Sequence, residues 1–370
     1  MKKVLGLLLG LLATLGVRTA AAVEPHPEPK SIVLRSACAG GGGVAPVIIV
    51  TPSRRPRSTE ARSTPPVKQP PPIWLAELNQ WRQMAGLPVV IENPRLSSGS
   101  EDHARYLVLQ GPVDVSRFRD YDRAIGAGAH REDSHSASYT TAGAQAAIGG
   151  PLGADIIQGA DVAWEGRTES ADIDSLIVAP FHRLSLLAPW AQIVGYGSFG
   201  EYPRRAAALA LRGPLNAQQQ ARPILFPPAN GQIFVHKLSG SEWPNPIAGC
   251  AGYRLPVGLP ITLQLGRPLL LHSYLLQDQS FGHALDACGF DAFTYRNSDA
   301  TQQKRGRELL NAYGAIALIP REPLLYGREY RVRVETSRGS FEWSFGVNSM
   351  VEVDAVRARQ GTIRQVAATH

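Results

Sequence analysis

The spacing of apolar residues divides the chain into a helical first half and a strand-rich second half. Between residues 73 and 178, apolar residues recur at three- and four-residue intervals, as on one face of a helix. Two β-like runs follow at 193–199 and 206–211. Helices followed by strands predict a first α+β layer structure over residues 73–215. The predicted helices cover residues 73–85, 97–110, 140–148 and 171–178.

From Arg222 onward, short strands separated by Pro and Gly dominate the pattern. Such regularly spaced strands predict an all-β sandwich over residues 222–346, of immunoglobulin-like type, and leave another all-β arrangement open. The predicted strands cover residues 224–226, 260–265, 269–274, 314–319, 329–336 and 340–345.

The two ends of the chain and the linker show other patterns. Residues 1–22 combine a Lys pair, a short apolar run and an Ala-rich cleavage pattern, as a secretory signal peptide does. Arg18 lies close to the proposed cleavage point and keeps an uncleaved anchor open as the alternative. Residues 23–72 are rich in Pro, Gly and Arg and predict a linker, in which the apolar patch 47–50 is a candidate edge strand. Residues 347–370 predict a loose tail.

Composition narrows the class of partner. The 370-residue chain carries a net charge of +7, which favours anionic partners or reflects solvated Arg surfaces. Export argues against nucleic acid and indicates a secreted, periplasmic or cell-envelope protein. No apolar run after the signal is long enough for a transmembrane helix. Of three cysteines, Cys250 and Cys288 are candidates for a disulfide and Cys38 for a free thiol.

The segment around His182 indicates a site. His182 follows Pro180 and Phe181 and precedes Arg183 and a Leu-rich run. Because Pro ends a preceding helix and the Leu run buries the next turn, the imidazole is held at a joint between packed elements. The sequence therefore predicts a cleft histidine here, without identifying a reaction.

Four segments of the first half, in order, are 78–88, 93–107, 179–187 and 194–197. Together they resemble the bacterial branch of the CAP superfamily (cysteine-rich secretory proteins, antigen 5 and plant pathogenesis-related proteins). The resemblance implies a CAP-like α-β-α sandwich with a central cleft. In the family, two His and two acidic residues of that cleft can hold a divalent metal.

Carried over residue by residue, the resemblance places His182 at the second histidine position and offers His130 for the first. Glu132 is the candidate acid, and Arg183 accompanies His182 in the cleft. Zn²⁺ or a similar cation would then have three candidate ligands, His130, Glu132 and His182, and one open position. The alternative is a metal-free polar cleft in which the two histidines are hydrogen-bonded to carboxylates and water. The family's Gly-Glu-Asn segment is not visible; residues 153–155 and 159–161 lie near its expected place.

In residues 222–346, the segments 228–232, 244–246, 320–324, 327–330 and 341–345 resemble those of bacterial Ig-like domains. The expected fold class is therefore α+β, a CAP-like α-β-α sandwich followed by an all-β Ig-like sandwich. The favoured function is a non-enzymatic binding module for a small apolar or anionic ligand or an envelope polymer. A metal-assisted hydrolase with Glu132 as general base is the alternative, and a third hypothesis treats both domains as spacers. A serine hydrolase at 134–136 is disfavoured because no nucleophile elbow is present, and His103 is expected to be a satisfied structural histidine.

Overall fold

The computed structural model describes residues 70–112, 128–150, 156–164, 166–214 and 222–349. These ranges belong to one compact unit, Val67–His370. The predicted signal peptide, the linker up to residue 69 with its candidate edge strand, Cys38 and the tail from residue 350 lie outside the described residues. No helix within the described ranges is long and apolar enough to cross a membrane.

Helices and strands alternate in the first half around one four-stranded sheet. Its strand order is β1-β3-β4-β2, with β1 parallel to β3 and the other pairs antiparallel. Strand β2 is thus an edge strand. The elements are α1 Ile73–Met84, β1 Ile91–Glu92, α2 Pro94–Gln110, α3 Thr141–Ala146, β2 Ile156–Trp164, α4 Glu169–Val178, α5 Pro180–Leu186, β3 Ile193–Glu201 and β4 Arg204–Pro214.

Helices cover both faces of this sheet. On one face α2 lies so close to β3 that a Cβ on Gly197 would overlap the backbone of Glu101. On the other face Tyr196 of β3 stacks on Trp74 of α1, with ring centroids 5.1 Å apart, and Ile173 of α4 belongs to the same core. Successive residues of β3 therefore face opposite helical layers, as the two-residue period of a strand requires.

Local signals account for the helix boundaries. All four predicted helices are present, and Gly86, at φ +72°, follows the end of α1, where a left-handed residue commonly stops a helix. Asn93 caps α2 through its side chain, and Pro94 occupies the first helical position. Thr140 caps α3, because its hydroxyl accepts from the Gly143 amide.

Two sheets pack against each other in the second half. Their strand orders are β11-β10-β14-β15-β6 and β12-β13-β9-β5, and β7 pairs with β8 separately. All pairs are antiparallel except β15 with β6. The elements are β5 Ile224–Phe226, β6 Gln232–Ile233, β7 Lys237–Leu238, β8 Val257–Gly258, β9 Ile261–Gln264, β10 Leu271–Asp278, β11 His283–Ala284, β12 Ala287–Phe290, α6 Ala300–Tyr313, β13 Ala315–Pro320, β14 Arg328–Thr336 and β15 Gly339–Val347.

The expectation that residues 222–346 are all-β is wrong at α6, a 14-residue helix between β12 and β13. Asp299 caps its first turn by accepting from the amides of Thr301 and Gln302. Gly314 ends it in the left-handed region at φ 52°. The α+β class itself is what the structure shows.

One hydrophobic core includes residues from both halves. Trp81 of α1 packs against Phe226 and Phe234, with ring centroids 5.7 Å and 5.3 Å apart. The segments on either side of the predicted 73–215 and 222–346 boundary therefore pack directly on each other. This packing fixes the position of the helix-sheet half against the sandwich, and the candidate site lies where they meet.

Candidate functional site

His182 of α5 is joined to Glu242, a residue of the segment between β7 and β8. Glu242 Oε1 accepts from the His182 backbone amide at 2.8 Å and lies 3.1 Å from its Nδ1. The Glu242 side chain is 1% exposed and that of His182 is 18% exposed. Because Pro180 starts α5, the His182 amide is one of the helix's unpaired first-turn donors, and the carboxylate satisfies it.

The charges around His182 favour its protonated form. Burial is the largest influence and by itself lowers the pKa, but the hydrogen bond and charge of Glu242 and the charge of Asp161 outweigh it, so the pKa is raised above 6.5. The imidazolium thus lies between two carboxyl groups from different halves of the molecule.

Asp161 of β2 and Ser185 of α5 form the inner wall of the site. The Ser185 hydroxyl lies 2.5 Å from Asp161 Oδ2 and 2.7 Å from the His182 carbonyl oxygen. Burial raises the pKa of Asp161 to about 6, against the lowering effects of His182 and the Ser185 hydrogen bond. Asp161 is therefore a buried carboxyl group that titrates near neutrality.

His130 lies beside the same cavity in the opposite charge state. It ends a short 3₁₀ turn, Gly128–His130, and its Nδ1 lies 3.1 Å from the Ala147 carbonyl oxygen. Burial, together with the charges of His182 and His103, lowers the pKa of His130 to about 3. A neutral ring whose Nδ1–H donates to Ala147 keeps Nε2 as an acceptor.

Two spaces adjoin these groups. A small cavity of about 100 Å³ separates His130, Asp161 and His182 from Arg305 and Tyr313 of α6. A larger cleft of about 410 Å³ opens outward from His130, His182 and Glu242. Apolar side chains form most of its remaining wall: Val162, Trp164, Leu238, Trp243, Pro246 and Leu255. A small number of polar groups at the base of a mostly apolar cleft is typical of ligand sites.

The structure brings together His130 and His182 but not Glu132. One Glu132 oxygen pairs with His103 Nδ1 at 3.0 Å and the other accepts from the Thr140 amide at 3.1 Å, with both acid and imidazole fully buried. The predicted three-ligand set therefore does not converge, and the residues present do not fit a metal. Across the described ranges no group of three or more His, Cys, Asp or Glu is arranged to hold one.

Two other residues that the sequence singled out have structural roles. His103, which also meets the Ala129 carbonyl oxygen at 2.7 Å, is the satisfied histidine that was expected. Arg183 is not a cleft residue: it is fully buried, and its guanidinium donates to the carbonyl oxygens of Ile177 and Pro260. The reason is helical geometry, since consecutive residues of α5 point about 100° apart. Arg183 ties α4 and α5 to the sandwich.

The weak alternative at 134–136 lies on the surface. His135 pairs with the neighbouring Asp133, at 3.1 Å, and its side chain is exposed. An exposed pair of this kind has none of the enclosure that nucleophilic catalysis uses.

Sequence reasoning missed half of the site. Glu242 is 60 residues from His182 and carries no local motif. Arg305 and Tyr313 belong to α6, a helix that was not predicted within the strand-rich second half. Asp299 and Gly314, which cap this helix, were the available signals for it. Asp161 lies in the segment 159–161, which the family resemblance marked for a different reason.

A disulfide holds the segment that carries Glu242. Cys250 and Cys288, the pair that the sequence offered, are bonded with Cα atoms 5.8 Å apart. Cys250 lies between β7 and β8, as Glu242 does, and Cys288 lies in β12. The bond therefore anchors the Glu242 segment to the sandwich.

Comparison with known proteins assigns neither a family nor a function to the chain. No protein-family model matches the chain, and no curated protein matches it. Among solved structures it is similar to CopC from Methylosinus trichosporium OB3b, at 13% identity over 35% of this chain and 96% of that chain, with a TM-score of 0.17. A likeness at this TM-score carries no argument about fold or function.

Proposed function

We propose that this protein is an exported, non-enzymatic binding module whose ligand occupies the cleft at His182 and Glu242. The observation that carries the proposal is a buried, pre-formed ion pair at the base of an apolar cleft. The volume of this cleft, about 410 Å³, lies within the usual range of small-molecule sites, roughly 300–1,000 Å³.

The arrangement favours binding over nucleophilic catalysis. The buried Ser185 hydroxyl lies against Asp161 and the His182 carbonyl oxygen, while His182 Nδ1 faces Glu242, so the serine is not paired with a histidine as in a Ser-His nucleophile. The metal-assisted hydrolase loses its general base and third ligand because both Glu132 oxygens are occupied. The spacer hypothesis gives the ion pair only its structural role and leaves the cleft that opens from it unexplained.

We keep the CAP-like and Ig-like assignments as part of this proposal. Helices on both faces of the β1-β3-β4-β2 sheet, with His182 at the start of α5, support the first. Two packed, mainly antiparallel sheets support the second. Export is supported by the signal-like residues 1–22 and by the Cys250–Cys288 disulfide, which suits an oxidising compartment.

The test is a ligand screen by thermal shift and calorimetry on the protein starting at Val23. A ligand of the cleft is expected to lose at least tenfold in affinity in His182→Ala and to keep its affinity in His283→Ala, which removes an exposed histidine of β11. Ligands that bind both variants equally, or none from a broad panel, would refute the proposal. Elemental analysis in parallel distinguishes the alternative: stoichiometric zinc that disappears in a His130→Ala/His182→Ala variant would favour the hydrolase.

A further inference from the structure

The cleft continues past His182 into a longer groove. A second space of about 900 Å³ lies between α4 and the segment 234–242. Both spaces are lined by Trp164, His182, Leu238 and Glu242, so they meet at the ion pair. The combined groove exceeds what one small molecule fills and suits an extended chain whose middle passes Glu242.

Aromatic side chains occur along the groove rather than beneath it. Trp164, at the shared part, is 43% exposed, and Trp243 lines the smaller space. Tyr326, at 50% exposure, lines the larger one and is held against His236, with ring centroids 4.4 Å apart. Exposed, fixed rings with both an apolar face and a polar edge stack on the apolar faces of sugar rings.

Glu242, which lines both spaces, has an unused acceptor. Its Oε1 holds His182, but its buried Oε2 has no hydrogen-bond partner among the described residues. A buried carboxylate oxygen without a donor costs free energy, which a hydrogen bond from a ligand hydroxyl would recover. This second observation points to a ligand that carries donors.

The remaining polar lining is mostly uncharged. It consists largely of hydroxyl and amide groups, and the charged side chains besides Glu242 and the histidines are Asp174 and Lys237. A polyanion would meet two carboxylates against one lysine and the His182 imidazolium, so the groove offers it no net positive charge, and a lipid chain would make no use of the hydroxyl and amide groups. The uncharged lining groups are Ser175, Ser239, Ser241, Asn245 and Gln302.

We propose that the groove binds an uncharged linear glycan, whose rings stack on Trp164 and Trp243 and one of whose hydroxyl groups donates to Glu242 Oε2. The inference rests on the proposed binding function of the same cleft. It replaces the small apolar or anionic ligand of the sequence-based expectation with a polymer segment of sugar residues.

The experiment measures binding of three neutral tetrasaccharides, cellotetraose, chitotetraose and maltotetraose, by calorimetry and Trp fluorescence. At least one is expected to bind more than tenfold tighter than its monomer. Trp164→Ala and Trp243→Ala are each expected to weaken it about tenfold, the usual effect of losing one aromatic stack. The matched control is Tyr202→Ala, an aromatic that is 99% exposed in the turn between β3 and β4; it is expected to leave binding unchanged.

Charge and placement have separate readouts. Tetragalacturonate, with one carboxylate per ring, is expected to bind more weakly than the neutral tetrasaccharides, and tighter binding would overturn the uncharged class. Binding that persists unchanged in both Trp variants would overturn the placement of the sugar rings on Trp164 and Trp243. If all glycans fail while decanoate or phosphate binds in a His182-dependent way, the glycan inference falls and the binding module stands; if nothing binds, both fall.

Discussion

Replacing Asp161 by Asn tests whether the site contains a buried carboxyl group that destabilises the fold when it ionises. Burial raises the pKa of Asp161 from 3.8 to about 6. A carboxyl group with a raised pKa in the folded state contributes stability below its unfolded pKa and loses it as the pH rises through the folded value. The loss therefore falls between about pH 4 and pH 6.

The size of the effect follows from the two pKa values. At about 1.4 kcal/mol per pKa unit, the change from 3.8 to about 6 corresponds to roughly 3 kcal/mol. Asn keeps the shape and an oxygen that accepts from Ser185, but it cannot ionise. The free energy of unfolding of Asp161→Asn, relative to the wild type, is expected to rise by about 3 kcal/mol between pH 4 and pH 7.

Urea denaturation at half-unit pH steps measures this difference directly. Asp286→Asn is the matched control, because that carboxylate pairs with Arg321 on the surface and is 61% exposed. A wild-type curve that stays parallel to the Asp161→Asn curve from pH 4 to pH 7 would show that Asp161 is not desolvated as described. A pH-dependent difference in Asp286→Asn of similar size would show that the effect is not specific to the site.

Two further changes test the packing that positions the site. Gly197→Ala is expected to lower the free energy of unfolding by about 1–3 kcal/mol in urea denaturation, because its Cβ would overlap the Glu101 backbone. Gly200→Ala, whose nearest contact would be at 3.5 Å, is the tolerant control. Equal stability of the two variants would contradict the close packing of α2. Cys288→Ser opens a loop of 38 residues closed by Cys250 and is expected to lower stability by roughly 4 kcal/mol, measured against the oxidised wild type, while an unchanged midpoint would exclude a stabilising bridge.

The sequence predicts elements that have their own local signals. Apolar periodicity predicts the four helices of the first half, and Asn93 and Pro94 add a start signal for α2. Strand β2 was missed because Gly159 interrupts the pattern and Asp161, a charged residue, faces inward. Helix α6 was missed because only Gly306 and Leu310 of its 14 residues are buried, so it has almost no apolar stripe.

The site was predictable only where one residue type and its neighbours sufficed. The Pro180–His182 joint was recognisable from the sequence, because a Pro at the first position of a helix sets the residues after it. The pairing of His182 with Glu242 depends on tertiary packing across 60 residues. Glu132 was predicted as a ligand because it lies near His130 in the sequence, but its role is to bind His103 and the Thr140 amide.

Glu242 couples stability and binding in one side chain. Its Oε1 joins the two halves through His182, and its Oε2 is a buried acceptor without a partner among the described residues. The ligand-free protein therefore keeps a buried carboxylate oxygen without a donor, at a position where an uncharged side chain would be more favourable for stability. A ligand that donates to Oε2 removes this cost in the folded state only, so its binding free energy adds to the stability of the joint between the halves.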